Sequence, residues 1–298
     1  MLYNNIVSRT PVTKGWSGDL KYCVTDSENN RYLLRISAPE LFSKREAAFQ
    51  RMTQVATLGI PMCMPLEFGS CEEGVYSIQS WIDGVDAEPA IMALSSTQQY
   101  AYGINAGQIL QKLHSIPAPE HAIPWQTRYG KKIDRKIEMY QNCSIHYDED
   151  KPFFDYIRQT RHLLANCRQT YQHGDYHIGN MMLDHNGVLT IIDFDRDDYG
   201  DPWEEFNRVV WCAQAAPWFA TGMIDGYFDH NIPEDFWKLL ALYICTNTLS
   251  SLPWALPFGD QEIQTMKNQA RDVLQWYDHM RCPVPKWYQK TGSQKCNP

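Results

Sequence analysis

Up to residue 80 short apolar runs alternate with polar turns, the period-two pattern of strands, and beyond it apolar positions recur mainly at helical spacing. Residues 21–25 and 31–37 flank the turn Asp26-Ser27-Glu28-Asn29-Asn30 and predict a hairpin. On its second strand Leu33 and Arg35 share one face while Tyr32, Leu34 and Ile36 share the other. Arg35 is therefore a cation on an otherwise apolar strand and needs a partner. Pro39 ends the strand, and Ser43-Lys44-Arg45-Glu46 has the form of a capping box opening a helix with Phe49, Met52, Val55 and Ala56 on one face and Gly59 at its end. Residues 67–70 and 75–79 predict a second strand pair, closed by Gln79-Ser80-Trp81-Ile82-Asp83-Gly84.

Helices follow. Ser95 or Ser96, with Gln98 three residues after Ser95, caps a helix that buries Tyr102, Ala106, Ile109, Leu110 and Leu113 and places His114 at its dipole-favoured end. Residues 153–165, 236–249 and 263–280 predict further helices, and the tail from Pro283 is expected to fray. The composition shift sets the domain organisation: residues 1–80 as a strand-rich lobe, residues 81–84 as its boundary, and residues 85–298 as a larger helical lobe. The fold class is α+β, with a small antiparallel sheet and a mostly helical remainder.

Composition narrows the class. An apolar fraction of 44% with 13% aromatic residues describes a globular chain rather than a disordered one. A net charge of −8 disfavours nucleic acid and favours cationic small molecules. Nine cysteines without a CxxC pair fit a reducing compartment. With no window approaching about eighteen consecutive apolar residues and no leader pattern, a cytoplasmic protein without a membrane partner is expected.

One stretch breaks the helical pattern, and it carries the chemistry. Residues 172–195, QHGDYHIGNMMLDHNGVLTIIDFD, place His173, Asp175 and Asn180 in a polar loop, turn at His185-Asn186-Gly187, and run through Val188, Leu189, Ile191 and Ile192 into Asp193. Such a hairpin buries its strands and leaves hard oxygen donors at its ends for a cation or a hydroxyl proton. Phosphoryl transfer asks for this set: one carboxylate to orient an attacking hydroxyl, and an amide and a second carboxylate to hold magnesium against nucleotide phosphates. A metal hydrolase built on His173, Asp175 and His177 is a rival reading, although His162, His185 and His230 supply no further ligand spacing. In the bland reading Asp175 caps a turn, Asn180 holds a left-handed position and Asp193 ends a strand.

HGDYHIGN followed by IIDFD resembles the signature of the aminoglycoside phosphotransferase and choline kinase group, whose fold is similar to that of protein kinases. The resemblance implies a bilobed kinase-like fold with Asp175 as catalytic base, Asn180 and Asp193 as magnesium ligands, and His173 buttressing the loop. It further implies that Gly15, Ser17 and Gly18 cover the phosphates of ATP or GTP, that Arg35 contacts them and pairs with Glu46, and that Ser80, Trp81 and Ile82 form a hinge reading the base. Three positions depart from the protein-kinase pattern: Arg35 replaces a lysine, Asp195 replaces a glycine, and KGWSGD is not GxGxxG. The expected activity is transfer of a γ-phosphoryl group to a hydroxyl of a cationic small molecule by a monomer or weak dimer. An aminoglycoside is the first choice, ahead of choline or another amino-alcohol, an amino-sugar or a macrolide. Asp197, Asp198, Asp201, Glu204, Glu205, Asp225, Asp229, Glu234, Asp235, Asp260 and Glu262 are candidate acids for ammonium groups, although Glu234, Asp235 and Glu262 read as solvated helix starts and Asp201-Pro202-Trp203 with Glu205 resembles a structural segment of the family; Trp211, Trp218, Phe219, Tyr227, Phe228 and Trp254 would instead suit a quaternary ammonium or a macrolide face. A nucleotide-binding pseudokinase is the non-enzyme alternative.

Overall fold

Strand formation begins at Asp26. Its carboxylate accepts the amides of Glu28 and Asn30, at 2.9 and 2.8 Å, and so reverses the chain between the first two long strands. The computed structural model describes residues 1–13 and 18–289. In chain order its strands and helices are β1 (Ile6–Pro11), β2 (Leu20–Asp26), β3 (Arg31–Ser37), α1 (Phe42–Ala56), β4 (Pro65–Cys71), β5 (Gly74–Ser80), β6 (Gly84–Asp86), α2 (Ala87–Met92), α3 (Ser96–Leu113), α4 (Trp125–Gln141), α5 (Lys151–Thr160), β7 (Thr170–Gln172), β8 (Met181–Asp184), β9 (Leu189–Ile191), β10 (Asp198–Gly200), α6 (Val209–Ala215), α7 (Pro217–Phe228), α8 (Glu234–Ala255) and α9 (Asp260–Trp276).

The chain divides into two compact units. The first comprises Met1–Ala90 with Asn180–Asp195; the second holds Ile91–Gly179 and the described residues from Arg196 onward. This division differs from one drawn on composition. Residues 81–84 fall inside the first unit, and the β8–β9 hairpin belongs to it although helical segments surround the hairpin in sequence.

In the first unit five antiparallel strands run in the order β1-β2-β3-β5-β4. Val24, Leu34, Ile36, Tyr76 and Ile78 form a core on one sheet face, as the alternation in β3 requires. Helix α1 opens differently from its sequence signal. Its N-cap is Leu41, which caps with no side chain, and a 3₁₀ turn over Pro39–Leu41 precedes it. Pro39 presets that turn, so Ser43 is already inside the helix and the Ser43–Glu46 capping box does not form. A second sheet, β6-β8-β9, adds the hairpin. The amide of Cys63 donates to Ile191 O at 3.1 Å and that of Ile191 to Pro61 O at 3.0 Å, stitching the hairpin to the segment before β4.

In the second unit α8 is the central helix, with Phe236, Leu240, Tyr243, Ile244, Leu249 and Leu252 all buried. By length and composition Glu234–Phe258 could cross a membrane, yet 67% of its apolar window is buried inside the fold. Helices α3 and α7 cross through two glycine pairs that the hydrophobic pattern did not reveal. A Cβ on Gly103 would lie 2.2 Å from Phe219 O, and one on Gly226 would lie 2.3 Å from Ile104 O. The Ser95–Gln98 capping box of α3 forms as expected. His114 caps the C-terminus of α3 but is buried, 4% exposed, and bonds to the Tyr227 hydroxyl at 2.9 Å through Nδ1. The tail expected to fray is packed as far as it is described, with Trp287 buried and Tyr288 Oη 2.6 Å from Asp225.

Candidate functional site

The loop carrying Asp175 is built by its neighbours in the second unit. Gly174 takes φ +82°, and a Cβ there would lie 1.9 Å from Arg196 O, so only glycine fits. The Gly174 amide donates to both oxygens of Glu205, at 2.9 and 3.2 Å. His173 is fully buried, and its Nδ1 accepts the Asp175 amide at 3.3 Å. His173 thus bonds to the backbone of the carboxylate's own residue. His177 does the same one step later, its Nδ1 accepting the Gly179 amide at 3.1 Å. With each Nδ1 turned onto an amide, the His-x-Asp-x-His spacing does not present a metal-ligand face. Among the described residues no three His, Cys, Asp or Glu side chains gather as a ligand set.

Two arginines hold the carboxylate. Arg208 Nε lies 3.0 Å from Asp175 Oδ1, and Arg196 Nη1 lies 3.5 Å from Oδ2. The Arg208 contact is an attraction of charges rather than an aligned hydrogen bond. Burial alone would raise the Asp175 pKa, but the charges of Arg208, His177, Arg196 and His173 outweigh it and hold the group below the ordinary carboxylate range. Burial pushes His177 the other way, down to about 4, against the attraction of Asp175. At neutral pH the pair is a carboxylate beside a neutral imidazole whose proton sits on Nε2, 3.8 Å from Asp175 Oδ1. A carboxylate so stabilised is a weak base. It can orient a hydroxyl and take its proton late, as the bond to phosphorus forms.

The hairpin end belongs to the first unit. Met181 pairs with Ile191 and the Ile192 amide donates to Asn180 O at 3.1 Å, so Asn180 stands beside the residue that precedes Asp193. Asp184 closes the far end, its Oδ1 accepting the amides of Asn186 and Val188, with Gly187 at φ +76°. Asp193 itself is left-handed, φ +66°, a conformation aspartate tolerates better than most residues. Its side chain is 43% exposed. An amide and an exposed carboxylate at one hairpin end suit a small hard cation that keeps several waters, so the residues fit magnesium.

Arg35 answers the demand for a partner, but not with Glu46. Its Nε lies 3.0 Å from Asp19 Oδ2, its Nη1 lies 3.6 Å from Asp193 Oδ1, and its Nη2 pairs with Asp195. Arg45 adds a second cation, 2.5 Å from Asp19 and 3.9 Å from Asp195. No ion pair joins Arg35 to Glu46 among the described residues. The physical reason lies in Asp195, which stands where a glycine would supply no charge, and in Asp19, which stands directly before β2. Burial raises the Asp19 pKa, but a hydrogen bond from Ser37 and the charges of Arg45 and Arg35 outweigh it, so the carboxylate is held ionised.

Gly15 and Ser17 lie outside the described residues; Gly18 is exposed, with no atom of the described residues within 4 Å of where a Cβ would be. Ser80 closes β5, its amide donating to Met64 O at 2.9 Å and its hydroxyl accepting the Met64 amide at 2.8 Å. Trp81 and Ile82 follow as half-buried chain outside any strand. Sequence reasoning missed Arg208, Arg196, Asp19 and Asp195 as partners. Only the general need of a buried charge for a counter-charge pointed toward them.

With this geometry in place, comparison with known proteins identifies the class. The model of the phosphotransferase enzyme family, APH, matches residues 8–240. The chain belongs to that family. Solved structures share its fold at low identity. Aminoglycoside phosphotransferase APH(4)-Ia superposes with a TM-score of 0.64 at 17% identity, covering 92% of this chain and 95% of that one. A choline/ethanolamine kinase family protein from Mesorhizobium loti gives 0.64 at 15% identity, covering 92% and 91%. The structure of a gentamicin–APH(2")-IIa complex gives 0.63 at 16% identity, covering 91% and 92%. A comparison of the sequence with curated proteins finds no match.

Proposed function

We propose that this phosphotransferase moves the γ-phosphoryl group of ATP or GTP to a hydroxyl of a small cationic acceptor, with an aminoglycoside as the first choice. The observation that carries the reading is Asp175, a carboxylate kept ionised by Arg208 and Arg196 in a loop pinned by His173 and Glu205. Asp175 would orient the acceptor hydroxyl and receive its proton. Asn180 and Asp193 would hold magnesium, whose charge would offset that of the nucleotide phosphates. Arg35 keeps Asp193 in place. Support for a nucleotide and an aminoglycoside comes from structural neighbours, one of them an APH(4)-Ia complex with ADP and hygromycin B.

An amino-alcohol such as choline is the second reading, and the fate of the acidic residues favours it. Glu204 pairs with Lys132 at 2.9 Å, Glu205 binds Gly174, Asp201 bonds to Tyr243, and Asp225 is shared by Tyr100 and Tyr288 at 2.6 Å each. Those four acids serve the fold, so an acceptor with one ammonium asks less of the rest than one with several.

The test is nucleoside diphosphate release over a panel of aminoglycosides, amino-alcohols, amino-sugars and macrolides with ATP and with GTP. Release that depends on one acceptor class, and that disappears in Asp175→Ala while nucleotide still binds, supports the proposal. No acceptor-dependent release with any aminoglycoside would remove the first choice, and an unaffected Asp175→Ala rate would remove the mechanism.

A further inference from the structure

The overall charge of −8 is not spread evenly: the charged positions of α4 are mainly Lys and Arg. Lys132 and Lys136 stand four residues apart on that helix and so share one of its faces. Lys132 Nζ lies 2.9 Å from Glu204 Oε1 and 5.1 Å from the centre of the Tyr129 ring. The other oxygen of Glu204 accepts Gln172 Nε2 at 3.1 Å. Glu204 opens the 3₁₀ turn Glu204–Arg208, and Arg208 at the end of that turn holds Asp175. One short turn of the second unit thus joins the cationic face of α4 to the carboxylate that would orient the acceptor hydroxyl.

Lys136 is the cation this network does not neutralise. It is half-buried where α4 meets α8, and its recorded bond is a long one, 3.5 Å to Asn247 Oδ1. Among the described residues no ion pair joins Lys136 to a carboxylate. Both oxygens of Glu204 are already engaged, by Lys132 and by Gln172. The Nδ2 donor of Asn247 has no recorded acceptor among the described residues either. A half-buried ammonium beside an unspent amide donor is a set that an oxyanion completes through charge-assisted hydrogen bonds.

Resting on the phosphotransferase reading above, in its form with a single ammonium, we propose that the acceptor also carries an oxyanion, a carboxylate or a phosphate monoester, and that Lys136 and Asn247 bind it. Burial and the charges of Lys132, Arg208 and Arg135 push the Lys136 pKa down to about 7, against the attraction of Glu204. A bound oxyanion supplies the missing counter-charge and keeps the ammonium protonated. A polycation would instead bring more ammonium groups toward Lys132, Lys136 and Arg208.

Phosphoryl transfer from ATP and from GTP to matched acceptors tests this, with ethanolamine against serine for the carboxylate and glucosamine against glucosamine 6-phosphate for the phosphate. In the wild-type chain kcat/KM should be about tenfold or more higher for the oxyanion-bearing member of a pair, mainly through KM. That preference should fall about tenfold in both Lys136→Met and Lys136→Gln and return in Lys136→Arg. Two neutral substitutions keep a folding defect in one of them from deciding the matter. A preference in the first pair alone assigns the carboxylate, and in the second alone the phosphate. No preference in either pair, a preference intact in both neutral variants, or transfer confined to acceptors without an oxyanion would overturn the inference and leave the kinase reading standing. If the wild-type chain transfers to no acceptor with either nucleotide, the kinase reading falls and this inference with it.

Discussion

Arg208 Nε lies 3.0 Å from Asp175 Oδ1, nearer than Arg196 Nη1 at 3.5 Å, and its charge is the largest influence opposing burial there. Arg208→Met should therefore act through Asp175 rather than through folding. We expect kcat to fall about 10- to 100-fold as the carboxylate loses its fixed position. The acid limb of the rate profile should move to higher pH, because burial is then less opposed and the Asp175 pKa rises. A pH profile with an unmoved acid limb would show that Arg208 does not set the carboxylate.

His177 predicts a pH dependence of stability. Its folded-state pKa, about 4, lies below the ordinary 6.5, so the unfolded chain takes up a proton that the folded chain refuses between those values. Stability from this group is complete above pH 6.5 and is lost as pH falls toward 4. The loss is worth about 3 kcal/mol by that difference. In urea unfolding at several pH values, the wild-type advantage over His177→Gln should shrink across that window. A constant gap would contradict the burial of this imidazole in its neutral form.

The α3–α7 crossing predicts a packing defect. Gly103→Ala would set a Cβ 2.2 Å from Phe219 O, inside contact distance with backbone that cannot swing away. We expect destabilisation of about 1–3 kcal/mol, read as a lower denaturant midpoint. Gly18→Ala, where no atom of the described residues lies within 4 Å, should leave that midpoint unchanged.

Thiol reactivity should follow burial. Burial pushes Cys63 up to about 12, whereas Cys282 is exposed. At about pH 8, near the ordinary thiol range, an alkylating reagent should modify Cys282 in the folded protein and reach Cys63 only after denaturant is added. Mass mapping of the alkylated peptides checks the order.

Local patterns in the chain were enough to write down the strand pairs β2–β3 and β4–β5, the capped start of α3, the apolar faces of α8 and α9, and the turn at Gly187, because each depends on neighbours within a few residues. They were also enough to single out His173, Asp175, Asn180 and Asp193, since a short loop and a hairpin fix those spacings locally. Tertiary structure alone decided which charges meet. Asp19 and Asp195 reach Arg35 from 16 and 160 positions away in sequence, and Arg208 reaches Asp175 from beyond the β8–β9 hairpin and β10. An ion pair leaves no period in a sequence. It becomes visible only when folding buries a charge and the nearest opposite charge must satisfy it, which is why Glu46, well placed by order along the chain, gave way to two aspartates.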